Sequence, residues 1–384
     1  MKIQSMKRRR MKMNNVTNHS VLKIIIAGGG TGGHIFPAIA IANALKKLHP
    51  ATEILFVGAK GKMEMERVPD AGYAIEGIDI AGYNRSSLIK NIGLPVKLVQ
   101  SFFQVRNILK TFKPDAVIGV GGYSTFPVLR VAQLQGIPTF IHEANSLGGK
   151  SNVLLSKRAV KVFVASDGMD KYFPKEKIMT LGNPVRNVFT EKIPRGEALK
   201  FFGLKEGFKT VLVTGGSLGA KSINETIESN VDVFKKNQWQ LIWQTGKTYS
   251  GKAALAEEEN DNMWTNAFIS KMENAYAAAD IVVARAGAMT IAELCVAGKA
   301  VIFVPFPFAA EDHQTQNARA LVEKNAAMMI SDADVQEKLM PAIHELMADE
   351  EKRKQFEENI SVMSNTDADV TIAQEILNNI IKKN

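Results

Sequence analysis

Cysteine is almost missing from the sequence: one residue, Cys295, stands among 384. A lone thiol forms no internal disulfide and cannot build a cysteine-rich zinc site, so burial must hold the fold and a reducing compartment is the default. Long apolar runs are missing too. Nowhere do about 18 uncharged apolar residues follow one another, which argues against a membrane-spanning helix. The basic start lacks an apolar stretch before Val21, which argues against a secretory signal. Acids are absent from residues 1–20, where Lys2, Lys7, Arg8, Arg9, Arg10 and Lys12 carry six of the nine net positive charges. The rest of the chain is therefore nearly balanced, and nothing beyond the arm calls for a nucleic-acid partner. The arm reads as a disordered basic start. Contact with anionic lipid or RNA, or an over-long start with Met6, Met11 or Met13 as the true first residue, are the alternatives.

What is present is an ordinary globular composition, 46% hydrophobic and 23% charged, long enough for two domains. From Val21 the chain repeats an apolar strand, a turn and an amphipathic helix. Strands are expected at 23–27, 54–57, 116–120, 139–142 and 161–165, then at 210–214, 240–244, 267–270, 281–284, 300–304 and 326–330. Short β-rich runs alternating with helical stretches predict an α/β fold with parallel sheets covered on both faces.

The two series open alike. An apolar strand runs into Ala27-Gly28-Gly29-Gly30-Thr31-Gly32-Gly33, and a second into Thr214-Gly215-Gly216-Ser217-Leu218-Gly219-Ala220. Each is the strand, glycine-rich turn and helix start that opens a Rossmann-like doubly wound domain. Two such domains are expected, 21–183 and 184–366, divided near Asn183-Pro184, with the active site in the cleft outside the strands' carboxyl ends.

Gly28, Gly30 and Gly33 satisfy the dinucleotide spacing, a weak signal alone. The acid that should end the second strand is missing: Lys60 and Lys62 follow, and no carboxylate comes before Glu64. An NADP site with Lys60 and Lys62 on a 2′-phosphate stays open, without an evident hydride partner. The glycines themselves suit backbone amides approaching an anion at a helix N-terminus. His34, at the mouth of the first turn, titrates near neutrality and is placed to accept a proton, unless it merely caps the turn. Glu293 follows small residues after the strand at 281–284, where a carboxylate can bind vicinal ribose hydroxyls; a solvent-facing helical Glu is the alternative. The polar cluster Asp312-His313-Gln314-Thr315-Gln316-Asn317, after a strand, suits a sugar. Asp312 and His313 alone do not make a metal site. Asp332 and Asp334, like Asp367 and Asp369, sit where helices begin and read as N-caps.

These residues together resemble the MurG family of inverting glycosyltransferases, with the GT-B fold of two facing Rossmann-like domains. The resemblance runs from about Val21 to Lys383. It rests on residues 28–37, Gly119-Val120-Gly121-Gly122-Tyr123, His142-Glu143-Ala144-Asn145, Gly182-Asn183-Pro184-Val185-Arg186, residues 215–220 and residues 286–293. It implies a hexosyltransferase moving N-acetylglucosamine from UDP to the C4 hydroxyl of N-acetylmuramic acid in lipid I. The product is lipid II, a precursor for peptidoglycan and so for cell-wall growth, shape and division. It implies no cofactor and a diphosphate held without a required metal. By resemblance Thr31, Gly32 and Gly33 border the UDP-sugar, Asn145 reaches the N-acetylglucosamine, and Arg186 and Ser217 serve the diphosphate. Ile269 meets uracil through its backbone. Ala288, Met289, Thr290, Ile291, Ala292 and Glu293 wrap the nucleoside, with Glu293 on the ribose. Gln314 contacts the sugar with Gln316 close by, while His34, Gly121, Gly122 and Tyr123 face the acceptor, with His34 as base. The helix at 367–383 is expected to pack back on the first domain.

A lipid acceptor implies partners beyond UDP-N-acetylglucosamine and lipid I, namely an anionic membrane surface, and a peripheral place on the cytoplasmic face. Residues 80–110, which mix apolar side chains with Arg85, Lys90, Lys97, Arg106 and Lys110, are the expected docking surface. Inward packing with merely solvated cations is the alternative. Rival readings are a transferase with another lipid acceptor, a UDP-N-acetylglucosamine epimerase, an oxidoreductase, and a basic-tailed scaffold without catalysis.

Overall fold

The computed structural model describes residues 21–81, 93–185, 189, 192–216, 218–309 and 312–381. The basic arm, Arg85, Lys90, Arg186 and Ser217 lie outside the described residues.

Two parallel sheets carry the chain. The first half runs β1 Lys23–Gly28, α1 Gly32–Leu48, β2 Glu53–Ala59, α2 Glu64–Asp70, β3 Ala74–Ile78, α3 Leu94–Phe112, β4 Ala116–Gly121, α4 Thr125–Leu134, β5 Thr139–Glu143, α5 Lys150–Ser156, β6 Lys161–Val164 and β7 Ile178–Thr180. The second runs α6 Arg195–Phe201, β8 Thr210–Thr214, α7 Lys221–Glu228, α8 Val231–Lys236, β9 Gln240–Gln244, α9 Ser250–Glu258, β10 Met263–Asn266, α10 Met272–Ala278, β11 Ile281–Ala284, α11 Ala288–Ala297, β12 Ala300–Phe303, α12 His313–Val322 and β13 Met328–Met329. Three helices close it: α13 Val335–Ala348, α14 Glu350–Val362 and α15 Ala368–Ile381.

Strand order is β3-β2-β1-β4-β5-β6-β7 in one sheet and β10-β9-β8-β11-β12-β13 in the other. Both are doubly wound α/β domains, the GT-B arrangement. The strand order reverses between β1 and β4 and again between β8 and β11, so each glycine-rich turn opens at a switch point. Continuous apolar runs explain the central strands: Ile24, Ile25, Ile26 and Ala27 are wholly buried, as are Ile281, Val282, Val283 and Ala284. On α1 the buried Ile35, Ala38, Ile41, Ala42 and Leu45 repeat at helical spacing and face the first sheet. The last helix, α15, adds Ile372, Ala373, Ile376, Leu377 and Ile380 to that same core, so the chain's end packs against its beginning.

One expected strand is misplaced. Residues 267–270 are not a strand; β10 lies just before them and pairs with β9 from Met263 opposite Leu241 to Asn266 opposite Gln244. The apolar residues that prompted the expectation are buried another way. The amide of Ile269 donates to the side-chain oxygen of Gln244 at 2.8 Å, turning the segment over the sheet's carboxyl edge and burying Ile269. Two strands went unforeseen, β3 at a sheet edge with an exposed Glu76 and a half-buried Gly77, and β7 with only three residues.

Candidate active site

The two glycine-rich turns look equivalent as sequence and are not equivalent as structure. In the first, the amide of Gly29 donates to the carbonyl of Gly121 at 3.2 Å, zipping the turn to the loop after β4. A Cβ on Gly122 would lie 2.2 Å from the carbonyl oxygen of Gly29, so the two backbones touch directly and only glycine fits there, with φ of +89°. Beneath the turn, the carboxylate of Glu64 accepts the amides of Gly30 at 2.8 Å and Ala59 at 3.0 Å. Its neighbours make room for it: a Cβ on Gly29 would fall 2.2 Å from the carboxyl carbon, and one on Gly58 would fall 2.5 Å from Cγ. The anion these glycines approach is thus the protein's own. The amide of Gly30 is thus already engaged within the protein, and α1 begins two residues further on, at Gly32. Lys60, one of the two lysines of the alternative NADP reading, is paired with Asp79, its Nζ 2.6 Å from the carboxylate.

His34 is wedged between the two loops. Its Nδ1 lies 3.1 Å from the carbonyl oxygen of Gly29, which can only accept, so Nδ1 carries the proton and Nε2 keeps its lone pair. The ring's Nε2 edge abuts Gly121, where a Cβ would come within 2.7 Å of that nitrogen. Burial lowers the pKa below the ordinary 6.5, against an opposing pull from Glu143 and the Gly29 carbonyl. The imidazole is therefore neutral at neutral pH, the form that accepts a proton. Tyr123 is half exposed and its ring edge lies 3.9 Å from the space a Gly30 side chain would fill. His34, Gly121, Gly122 and Tyr123 thus share one mouth. A second histidine, His142, is wholly buried behind them at the end of β5 and pushed down to about 4 by that burial.

Asn145 follows β5 and is held from both sides of the cleft. Its side-chain nitrogen donates to Glu143 at 3.2 Å, and its oxygen accepts from Asn317 of α12 at 3.4 Å. Asn317 also accepts the amide and hydroxyl of Ser146, at 3.1 and 2.8 Å, and donates to the carbonyl of Ala286 at 3.3 Å. Asn183 makes the matching bridge: its side-chain nitrogen reaches the carbonyls of Ala144 at 3.0 Å and Ala288 at 3.4 Å. Two asparagines thus span the halves, beside the start of α11. Ala288, Met289, Thr290, Ile291 and Ala292 form the first turns of α11, which begins at Gly287 directly after β11. Glu293 sits on its second turn, where it accepts the hydroxyl of Tyr276 at 3.3 Å, so it is partnered rather than simply solvated.

Gln314 stands at the start of α12, and its side-chain oxygen accepts the amide of Phe306 at 3.0 Å, tying the helix to the loop after β12. Gln316 is half-buried on the same helix. The amide of Ile269 is engaged by Gln244, which leaves its carbonyl as the backbone group not used by that bond.

Sequence reasoning gave no individual role to four residues, one of which, Asn317, it read only as part of a sugar-suited cluster. Glu143, nearly buried, gathers four donors: the amide and side chain of Asn145, the amide of Gly149 and the side chain of Asn152. Arg285 donates to the carbonyls of Val304 and Pro305 and to Asp332 at 2.5 Å. Asp332 therefore braces the loop after β12 and is no N-cap, which corrects that expectation; nor does Asp334 cap α13 through its side chain. Glu64 and Asn317 complete the set. Arg285 carried a signal, a charge directly after four buried apolar residues at a strand's carboxyl end. The others signal nothing until the strands are placed.

Among family models, residues 24–164 match the glycosyltransferase family 28 N-terminal domain, and residues 210–374 match its C-terminal domain. The chain is 49% identical over 361 residues to a Bacteroides fragilis protein named UDP-N-acetylglucosamine–N-acetylmuramyl-(pentapeptide) pyrophosphoryl-undecaprenol N-acetylglucosamine transferase, covering 93% of this chain and 95% of that one. A protein of the same name from Phocaeicola vulgatus is 50% identical, over 92% and 96% of the two chains. Among solved structures, MurG from Acinetobacter baumannii superposes with a TM-score of 0.74 at 28% identity, covering 93% of this chain and 99% of that one.

Proposed function

The chain belongs to the MurG family within glycosyltransferase family 28, and from that premise we propose how its cleft carries out the transfer. It is a hexosyltransferase that moves N-acetylglucosamine from UDP onto the undecaprenyl-pyrophosphoryl-N-acetylmuramyl-pentapeptide, the step that forms lipid II for peptidoglycan. We place the domain division at Asn183-Pro184, with α15 returning to the first domain.

In this reading the nucleoside lies along the start of α11. Glu293 takes the ribose hydroxyls, the carbonyl of Ile269 reads uracil, and residues 288–292 enclose the two. The diphosphate lies at the second glycine turn, with Arg186 and Ser217 assigned to it on their sequence. Asn145, Gln314 and Gln316 hold the N-acetylglucosamine where the halves meet, against the amides of Thr31, Gly32 and Gly33. Developing negative charge on the leaving diphosphate is met by the helix N-termini and the arginine. The acceptor's C4 hydroxyl enters past Gly121, Gly122 and Tyr123. Its oxygen bonds to the anomeric carbon as the bond to the diphosphate breaks. His34 Nε2 takes its proton, UDP departs, and the single displacement inverts the centre to a β1→4 link. The observation that carries the assignment is the 3.1 Å approach of His34 Nδ1 to the Gly29 carbonyl, which favours a proton on Nδ1 and leaves Nε2, beside Gly121, to accept one.

Radiolabelled UDP-N-acetylglucosamine incubated with a lipid I analogue should give labelled lipid-linked disaccharide and UDP in equal amounts, and neither without the acceptor. Conversion of the sugar nucleotide without any acceptor would instead mark an epimerase.

None of the described helices is long and apolar enough to cross a membrane, so contact with the lipid acceptor needs a surface. On α3 the buried residues Ser101, Val105 and Leu109 face the sheet, while Val96, Val99 and Phe103 are exposed at 60%, 54% and 68%. The same outward stripe continues at helical spacing into the exposed Arg106 and Lys110, with Lys97 beside it. An apolar stripe ending in cations suits the headgroup boundary of an anionic leaflet, here assigned to the cytoplasmic face. Val99→Glu with Phe103→Glu should cut cosedimentation with anionic vesicles at least about tenfold while a short-chain, water-soluble acceptor analogue turns over normally. Unchanged sedimentation would remove α3 from the docking surface.

A further inference from the structure

The first glycine turn is occupied from within, whereas among the described residues no carboxylate enters the second. Glu64 is 1% exposed, fills the space left by Gly29 and Gly58, and accepts the amides of Gly30 and Ala59. In the second turn the amide of Gly216 is met by the neutral hydroxyl of Thr214 at 3.2 Å, and that hydroxyl also accepts from Gln244. Each turn begins a helix at a topological switch point and would by that geometry attract a phosphate. A buried carboxylate beneath one of them reverses its preference, because a second anion would meet like charge in a poorly solvated place.

We propose that Glu64 is a resident anion that makes the two turns unequal: it locks the first into the shape that carries His34 and denies it to diphosphate, so that this turn meets only uncharged sugar. Glu64 reaches no reacting atom and is a positioning residue. Its second carboxylate oxygen ties the end of β2 to the turn after β1, which fixes the Gly29 carbonyl that orients His34. The same arrangement accounts for the acid missing from the end of β2. The carboxylate comes five residues beyond Ala59 and enters from the side of α2, below the turn, where it cannot reach a ribose. The inference rests on the proposed donor site only in naming the excluded anion a diphosphate.

Inorganic pyrophosphate tests this without turnover. Calorimetric titration should count one site per chain in the wild-type protein and in Glu64→Asp, which keeps the charge, and two in Glu64→Gln, which removes it. One site in Glu64→Gln, or two in the wild type, would overturn the proposal. Should Glu64→Gln fail to fold, the wild type still decides: pyrophosphate should leave hydrogen exchange at residues 30–34 unchanged, and protection there would overturn it. In steady state, Glu64→Gln should lose at least about tenfold in kcat with the KM for the sugar nucleotide within about twofold of wild type. A failed transfer assay with the expected pyrophosphate counts would discard the transferase reading and leave the inference standing.

Discussion

Replacing His34 with alanine is expected to lower kcat by about 10²–10⁴-fold, the range for losing a general base, while the KM for UDP-N-acetylglucosamine moves less than about threefold. The reason for the split is positional. His34 is pinned by the Gly29 carbonyl against Gly121, on the side proposed for the acceptor, whereas the groups assigned to uridine gather at α11 in the other half. Its removal strips an interaction needed only when the hydroxyl loses its proton. The pH profile supplies a second reading. Only the neutral imidazole accepts a proton, so activity is full above the pKa of His34 and falls as pH drops through it. Because burial holds that pKa below 6.5, the acid limb of kcat/KM should lie below pH 6.5 in the wild type. The residual rate of the alanine variant should show no such limb. A limb that survives the substitution would assign the titration, and the base, to another group.

How far the site could be read in advance depended on which interactions are local. Strand, glycine turn and helix are written within ten residues, so β1 with α1 and β8 with its turn stood out, and apolar continuity placed β11 and β12. The edge strand β10 was misplaced because Ile269 is as apolar as a strand residue yet is buried by crossing the sheet's end. The mouth residues His34, Gly121, Gly122 and Tyr123 do converge, since parallel strands at a switch point must deliver their following loops to one place. Illegible were the residues whose role is to meet something distant. Glu64 acts on a turn 34 residues earlier, and Asn317 acts on Ser146, 171 residues away. Neither pairing leaves a trace in periodicity or spacing. Asp332 failed for the same reason: a carboxylate before a helix looks like a cap until Arg285 arrives from another strand.

Glu143 is where the second large effect is expected, because stability and chemistry meet there. Its two oxygens accept the amides of Asn145 and Gly149 and the side chains of Asn145 and Asn152, at 2.9 to 3.2 Å, with the residue only 4% exposed. Glu143→Ala leaves these donors unmatched in the loop that carries Asn145 and Ser146, part of it open to water. The expected loss is about 2–4 kcal/mol. For domains of this size that lowers the melting temperature by about 5–15 °C. Since Asn145 and Ser146 also clasp Asn317, their displacement loosens the contact between the halves, and misplacing a sugar by about 1 Å costs about 10²-fold in rate. Glu143→Gln separates the two effects. The glutamine keeps the shape and one acceptor but turns an NH₂ toward donors, so some stability is lost, less than in the alanine variant. It also removes the charge that most strongly raises the pKa of His34. With that pull gone, desolvation is opposed only by the weaker influences of the Gly29 carbonyl and Glu64, and the acid limb of kcat/KM must move to lower pH. A limb that stays in place while the melting temperature falls would show Glu143 to be a brace for the Asn145 loop and nothing more to the base.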